Sequence, residues 1–131
     1  MNIINATIVD IKRYENISCV DFDAQGTKMR MVALELHNKL DIGVNVRLHV
    51  KATNIALATG KMESVSISNR LNALITHITL GEILCSVGLR LGDSILESII
   101  TKDSALAMDL KQGDTVTALI KSNDISIASF E

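Results

Sequence analysis

The chain contains one stretch twice: Lys51-Ala52-Thr53-Asn54-Ile55-Ala56-Leu57-Ala58-Thr59 in the middle and Lys121-Ser122-Asn123-Asp124-Ile125-Ser126-Ile127-Ala128-Ser129 at the end. Each copy begins with a lysine and a small residue and continues with aliphatic residues at alternate positions. Upstream, Gly43-Val44-Asn45-Val46 corresponds to Gly113-Asp114-Thr115-Val116 at the same offset. A repeat with a period of roughly 70 residues predicts that the chain consists of two copies of one small unit.

The beginning of the chain repeats too, because residues 2–8 correspond to residues 69–75 with an offset about three residues shorter. The repeat predicts a first, degenerate unit at residues 1–58, a linker at 59–65 and a second unit at 66–131. Units of about 65 residues bury too little surface to be robust alone. We therefore expect them to share a core with each other or with further subunits.

The composition indicates an aliphatic core and argues against nucleic acid as a partner. Hydrophobic residues make up 47% of the chain, but aromatic residues only 2%, and there is no Trp. Proteins that bind single-stranded nucleic acid use aromatic platforms that this chain lacks. The net charge is −2 and no basic cluster is present, so a footprint for a phosphate backbone is missing as well. Nucleic acid is excluded as a partner.

The sequence also predicts a soluble, cytoplasmic protein. Cys19 and Cys85 are far apart and form no CxxC motif, which favours two reduced thiols over a metal or redox site. The N-terminus has no basic segment and carries Asp10 early, unlike a secretory signal. No uncharged apolar run approaches the roughly 18 residues that a membrane helix needs, so no membrane insertion is expected.

Alternation of apolar and polar residues favours strands over helices. Residues 46–51 alternate cleanly, and their counterpart is 116–121. Residues 82–91 and 93–100 read as a hairpin around Gly92, and the β-branched content supports strands in general.

One short helix is predicted before the glycine turn of each copy, at residues 101–110 and, with a weaker pattern, at 31–40. Each copy then reads as three strands, a short helix and two strands. The predicted fold is mainly β, with two tandem five-stranded barrels of the oligonucleotide-binding (OB) type.

The sequence contains no recognisable catalytic constellation. His37, His49 and His77 fall in different elements and do not repeat between the copies. There is no Walker loop, GxGxxG or GxSxG motif. The protein is therefore predicted not to be an enzyme.

Hydrogen-bond donors repeat where catalytic groups do not. Lys51 and Lys121 each end an apolar strand, and hydroxyl groups occur at the start of the second copy and at its predicted helix. Lysine, hydroxyl and backbone N–H donors suit a fully ionised tetrahedral oxyanion, which offers only acceptors. The alternative is structural, because strand-end lysines are usually solvated and Ser or Thr near turns often cap the backbone.

At these positions the sequence resembles the molybdenum-pterin-binding, or Mop/TOBE-type, family. Ser66-Ile67-Ser68-Asn69-Arg70-Leu71-Asn72-Ala73 resembles the family's opening segment. Asp109-Leu110-Lys111-Gln112-Gly113-Asp114 matches its Leu-x-x-Gly-Asp turn, and Thr115-Val116-Thr117-Ala118-Leu119-Ile120-Lys121-Ser122 resembles its closing strand. The arrangement is similar to a di-Mop protein, in which one chain carries two such barrels.

The resemblance implies a ligand and a set of residues that bind it. It implies binding of molybdate, or tungstate, at sites between the subunits of a homotrimer, with no organic cofactor and no direct protein–metal bond. The residues implied as oxyanion ligands are Ser66, Ser104, Lys121 and Ser122, with Lys51 and Ala52 as the first-copy equivalents. In two respects the chain departs from the family: Ser68 replaces an arginine, and the first copy, which starts at Met1, lacks the opening motif.

The sequence therefore predicts non-enzymatic binding of molybdate for intracellular storage or homeostasis. The alternative is a regulatory or interaction module of a molybdate transporter or transcription regulator, with molybdate-transport or molybdenum-cofactor proteins as possible partners. A pterin ligand is disfavoured, because its ring needs aromatic or amide contacts of which this chain offers few.

Overall fold

The alternating segments form ten β-strands in the computed structural model, which describes residues 2–131. All strand pairs are antiparallel and make two five-stranded sheets. The strands are β1 (Asn2–Tyr14), β2 (Ile17–Ala24), β3 (Thr27–Ala33), β4 (Asn45–Val50), β5 (Ala56–Ala58), β6 (Asn69–Leu80), β7 (Leu84–Leu91), β8 (Ser94–Thr101), β9 (Thr115–Ile120) and β10 (Ile125–Phe130). One helix, α1 (Lys102–Ala107), and two 3₁₀ turns, Ala52–Asn54 and Ser122–Asp124, complete the described elements.

Each half of the chain gives its last strand to the other half's sheet. The first sheet has the order β10-β4-β1-β2-β3 and the second β5-β9-β6-β7-β8. The predicted unit boundaries, 1–58, 59–65 and 66–131, stay a prediction. Both closing strands cross the predicted boundary, so neither sheet is complete without the other half.

The strand registers show the duplication directly. Asn2 lies opposite Val50 in the first sheet, and Asn69 lies opposite Ile120 in the second. The long strands β1 and β6 each contain a bulge at the same place, after Ile8 and after Ile75 respectively. The two halves therefore share their pairing pattern as well as their sequence pattern.

The glycine turns predicted from the repeat are also equivalent. The N–H of Gly43 donates to Ile8 O at 2.8 Å, and the N–H of Gly113 donates to Ile75 O at 2.8 Å. Both glycines have positive φ angles, 92° and 93°, in the region that residues with a Cβ rarely adopt. These turns position β4 and β9 beside the long strands.

The helix prediction is confirmed in the second half and wrong in the first. Thr101 caps α1, accepting a hydrogen bond from the Ser104 N–H at 3.1 Å. In residues 31–40, β3 runs to Ala33 and only turns follow. The reason is chain length: Gly43 comes ten residues after Ala33, whereas Gly113 comes thirteen after the equivalent Ile100. The three missing residues leave no room for a helical turn, and they account for the change in the repeat offset.

A single aliphatic core joins the two halves, as the size of each unit predicts. Ile4, Val20 and Phe22 from the first half and Leu71 and Ile120 from the second belong to one buried cluster. Between the halves, the Ser98 hydroxyl donates to Ile55 O at 2.6 Å. Within residues 2–131, no helix has the length and apolar character to cross a membrane.

Candidate functional site

A shallow pocket lies where β9 ends, beside the segment that precedes β6. Its volume is about 180 Å³. It is lined by Ser66, Ile67, Ser68, Lys121, Ser122 and Asn123. The structure thus brings together three of the sequence-predicted site residues, Ser66, Lys121 and Ser122. We call this the Lys121 pocket.

Strand register places these two segments next to each other. Asn69, the first residue of β6, pairs with Ile120, the last residue of β9. The side-chain amide of Asn69 donates to Ile120 O at 3.1 Å and fixes the junction. Residues immediately before β6 and immediately after β9 must therefore be neighbours.

The backbone after β9 adds donors to the pocket. Lys121 precedes the 3₁₀ turn Ser122–Asp124, in which the Asp124 N–H donates to Lys121 O at 3.0 Å. No side chain caps the start of this turn. The first N–H groups of a helical turn have no partner within it, so those of Ser122 and Asn123 remain available to a ligand.

The pocket lining is cationic and rich in donors. It contains one lysine, three hydroxyl groups and one amide, and no carboxylate. Of the charged side chains in residues 2–131, only Arg30 with Asp21 and Lys111 with Asp109 form ion pairs. Lys121 is exposed and remains available to an anion. Chemically, this donor set suits an oxyanion that offers acceptors on every oxygen.

Ser104 does not line the Lys121 pocket. It stands in the first turn of α1, where its backbone N–H is bonded to Thr101 and its hydroxyl accepts a hydrogen bond from Thr101 Oγ1 at 2.8 Å. The hydroxyl proton of Ser104 is not used in these bonds. Its role as a ligand stays a prediction.

Lys51 and Ala52 reproduce the local backbone of Lys121 and Ser122. Lys51 follows β4 and is exposed, and Ala52 opens a 3₁₀ turn in which the Asn54 N–H donates to Lys51 O at 2.9 Å. In the repeat, Met1 is the counterpart of Ser68, and it lies outside the described residues. Their role as ligands also stays a prediction.

Sequence reasoning missed Asn123 and Ile67 as pocket residues. Asn123 lies inside the repeated stretch, at the position that Thr53 occupies in the first copy. Both copies have a polar residue two positions after the lysine, and this pattern could have indicated Asn123 as a pocket residue. Ile67 gives no chemical signal, and only the strand register places it here.

The histidines and cysteines of the described part of the chain form no metal-binding cluster. His37 lies in a turn segment, His49 in β4 and His77 in β6. Among residues 2–131, no group of three or more His, Cys, Asp or Glu side chains is arranged to hold a metal ion. Cys19 and Cys85 are free thiols, and burial raises the pKa of Cys85.

Known proteins resemble this chain in sequence motif and in fold. The TOBE domain family matches residues 65–127. No curated protein sequence matches the chain. Among solved structures, the chain is similar to the cytoplasmic molybdate-binding protein ModG with molybdate bound, with a TM-score of 0.90 and 25% identity over 96% of this chain and 94% of that one. This likeness confirms the mainly β, two-barrel architecture predicted from the sequence.

Proposed function

We propose that the protein binds molybdate and catalyses no reaction. The match of residues 65–127 to the TOBE domain family supports this proposal and agrees with the resemblance to the Mop/TOBE-type family. The match to ModG, which was solved with molybdate bound, supports the choice of ligand. Tungstate, a tetrahedral oxyanion of the same charge, is the expected second ligand. We place the protein in the cytoplasm, where it stores molybdate or buffers its concentration.

The observation that carries this proposal is the donor-rich lining of the Lys121 pocket, which contains a lysine and no carboxylate. Molybdate at neutral pH is fully ionised and accepts hydrogen bonds on all of its oxygens. A phosphate that still carries a proton is best bound where a carboxylate accepts that proton, and the pocket has no carboxylate. Lysine supplies the charge that offsets the bound anion, and hydroxyl and backbone donors supply direction.

The remaining ligands are proposed to come from a neighbouring subunit. The resemblance implies Ser104, Lys51 and Ala52 as ligands, and none of them lines the Lys121 pocket of the single chain. A shallow pocket that one chain builds only in part is the arrangement expected of a site shared between subunits. We propose that a second copy closes the pocket.

Exposed apolar residues support association with further subunits, and the Mop/TOBE-type resemblance implies that there are three. Ile83 is 77% exposed and Leu106 is 56% exposed, and Leu84 beside them is also exposed. The Lys102 N–H donates to Ile83 O at 2.8 Å, which joins the β6–β7 turn to α1. We call Ile83, Leu84 and Leu106 the apolar patch. We propose that the apolar patch is part of the interface with a neighbouring subunit.

Calorimetric titration of the full-length protein with molybdate tests the function. We expect saturable binding, with tungstate behaving similarly and with sulfate and phosphate giving much weaker binding. Absence of heat with molybdate and tungstate would reject the proposal and would favour an interaction module of a transporter or regulator.

A matched pair of lysine variants tests the site. Lys121→Ala should weaken molybdate binding by at least ~10-fold, a loss of about 1.4 kcal/mol. Lys111→Ala removes the same charge from an exposed ion pair with Asp109 and should change the affinity by less than about 2-fold. Equal losses in the two variants would contradict the assignment of Lys121.

A further inference from the structure

A second and larger cleft lies between the two halves of the chain. Its volume is about 810 Å³, compared with about 180 Å³ for the Lys121 pocket. Lys28, Arg30 and Arg70 line it, together with Asp21, Asp23 and Ser68. We call it the cationic cleft.

Asn69 holds the two walls of the cationic cleft together. Its side-chain oxygen accepts a hydrogen bond from the Arg30 N–H at 2.7 Å, and its amide donates to Arg30 O at 2.9 Å. Asn69 is fully buried. These bonds fix the segment that carries Ser68 and Arg70 alongside β3, so the cleft is preformed.

Two of the three cations in the cleft have no carboxylate partner. Arg30 is engaged by Asp21, with Nε 2.7 Å from Oδ1. The carboxylate of Asp23 accepts the Gly26 N–H at 2.8 Å. Within residues 2–131, neither Lys28 nor Arg70 forms an ion pair. The lining therefore carries three positive and two negative side chains, and Lys28 and Arg70 are the cations that lie outside the Arg30–Asp21 ion pair.

The other half of the duplicated fold forms the equivalent surface without these cations. By strand register, the second-half equivalents of Lys28 and Arg30 are Ile95 and Glu97, and the first-half equivalent of Arg70 is Ile3. We call the two bonds between Asn69 and the Arg30 backbone the Asn69 clamp. The clamp has a counterpart, because Asn2 bonds to the Glu97 backbone in the same way. Only one of the two equivalent surfaces carries the charges.

We propose that the cationic cleft binds a phosphorylated small molecule with at least two negative charges. Lysine and arginine are the side chains that recognise phosphate oxygens, and arginine does so with two parallel hydrogen bonds. The cleft volume is in the range of roughly 300–1,000 Å³ typical of sites for small organic ligands. Ser68 borders both the cleft and the Lys121 pocket, but the cations of the two sites are different.

Inorganic pyrophosphate is a suitable probe, because it is larger than molybdate and carries several charges. Calorimetric titration of the full-length protein at about 0.15 M salt should show saturable binding of pyrophosphate. The double variant Lys28→Ala/Arg70→Ala should weaken this binding by at least ~10-fold and leave molybdate binding unchanged. Lys121→Ala should do the reverse, which separates this proposal from the proposed function.

The control is Lys39→Ala/Lys61→Ala, which removes two positive charges from exposed positions outside the cleft. It should retain pyrophosphate affinity, and the charge-conserving variant Lys28→Arg/Arg70→Lys should retain most of it. Retained molybdate binding in the cleft variant shows that its fold is intact. The proposal would be overturned if the unaltered protein showed no saturable pyrophosphate binding. It would also be overturned if the control variant lost as much pyrophosphate affinity as the cleft variant, or if Lys121→Ala lost pyrophosphate binding and the cleft variant kept it.

Discussion

Asn69 and Asn2 occupy equivalent positions in the two halves, and each bonds its own half to the other half. Each is the first residue of a long strand, and each bonds to both backbone groups of one residue on the edge strand of the other sheet. Asn69 makes a third bond, to Ile120 O, and is completely buried, whereas Asn2 is 6% exposed. The sequence repeat contains both asparagines, but nothing in the repeat shows that they connect the halves.

This asymmetry predicts a graded loss of stability. Asn69→Ala should lower the free energy of unfolding by about 3 kcal/mol, since it removes three hydrogen bonds to the backbone, one of them buried and two partly buried. Asn2→Ala removes two bonds at a slightly more exposed position and should cost about 2 kcal/mol. Urea unfolding at one fixed protein concentration measures both. A smaller effect for Asn69 than for Asn2 would contradict the assigned role of the amide.

Asp21 predicts a stability loss in acid. The hydrogen bond and charge of Arg30 lower the pKa of Asp21 in the folded protein. A carboxyl group with a lowered folded-state pKa stabilises the fold above its unfolded pKa of about 4, and this contribution is lost as the pH falls through the folded pKa. Asp21→Asn should therefore show a smaller drop in the urea midpoint between about pH 6 and pH 2 than the unaltered protein.

The matched control for this experiment is Asp109→Asn, because Asp109 also pairs with a basic residue, Lys111, but both side chains are mostly exposed. An exposed pair contributes little, so this variant should follow the unaltered protein across the pH range. An acid response of Asp21→Asn identical to that of Asp109→Asn would show that the Arg30 pair does not stabilise the fold.

At the scale of elements, the exchange of β5 and β10 is the feature that the sequence does not reveal. The repeat predicts a closing strand in each copy, and alternation predicts which of its residues are buried. Both predictions hold equally well for a strand that returns to its own sheet. Whether the strand is exchanged or returns to its own sheet depends on the path of the segment between β4 and β5. In this segment Ile55 is buried, and its carbonyl oxygen accepts a hydrogen bond from Ser98 of the other half. Such a contact depends on tertiary packing, not on local pattern.

Strand exchange within one chain can be tested with engineered cysteines. Ser126 lies opposite His49 in the first sheet, so Ser126→Cys/His49→Cys should form a disulfide within a single chain, because paired Cα atoms are within bridging distance. Cys19 and Cys85 would be replaced first, by Ser and Ala respectively. Non-reducing electrophoresis with thiol counting should show an oxidised monomer.

The comparison variant pairs the same strand with the other sheet. Without exchange, Ser126 would lie opposite Leu119, as Ala56 does in the structure. Ser126→Cys/Leu119→Cys should therefore remain reduced under the same conditions. A disulfide in this variant, or a covalent dimer from the His49 pair, would contradict exchange within the chain.

At the scale of the whole molecule, local signals predict the strands and long-range packing decides the rest. Alternation and turn glycines predict most strands and the glycine turns, and the repeated Lys121 and Ser122 lead to the pocket. The helix of the first half was predicted from symmetry and is wrong, because three residues are missing there. The cationic cleft has no sequence signature, since Lys28 and Arg70 belong to different halves of the chain. They line the same cleft because the Asn69 clamp joins the two halves.

The apolar patch carries the last prediction, which concerns assembly. Ile83, Leu84 and Leu106 expose aliphatic side chains to water, and we propose that the homotrimer buries them, which is favourable. Sedimentation velocity should show a trimer for the unaltered protein and monomers for Ile83→Asp/Leu84→Asp, because buried unpaired carboxylates oppose association. Ile95→Asp changes an exposed isoleucine on β8 outside the patch and should leave the trimer intact. A monomeric unaltered protein, or a trimer that the patch variant preserves, would refute this role of the patch.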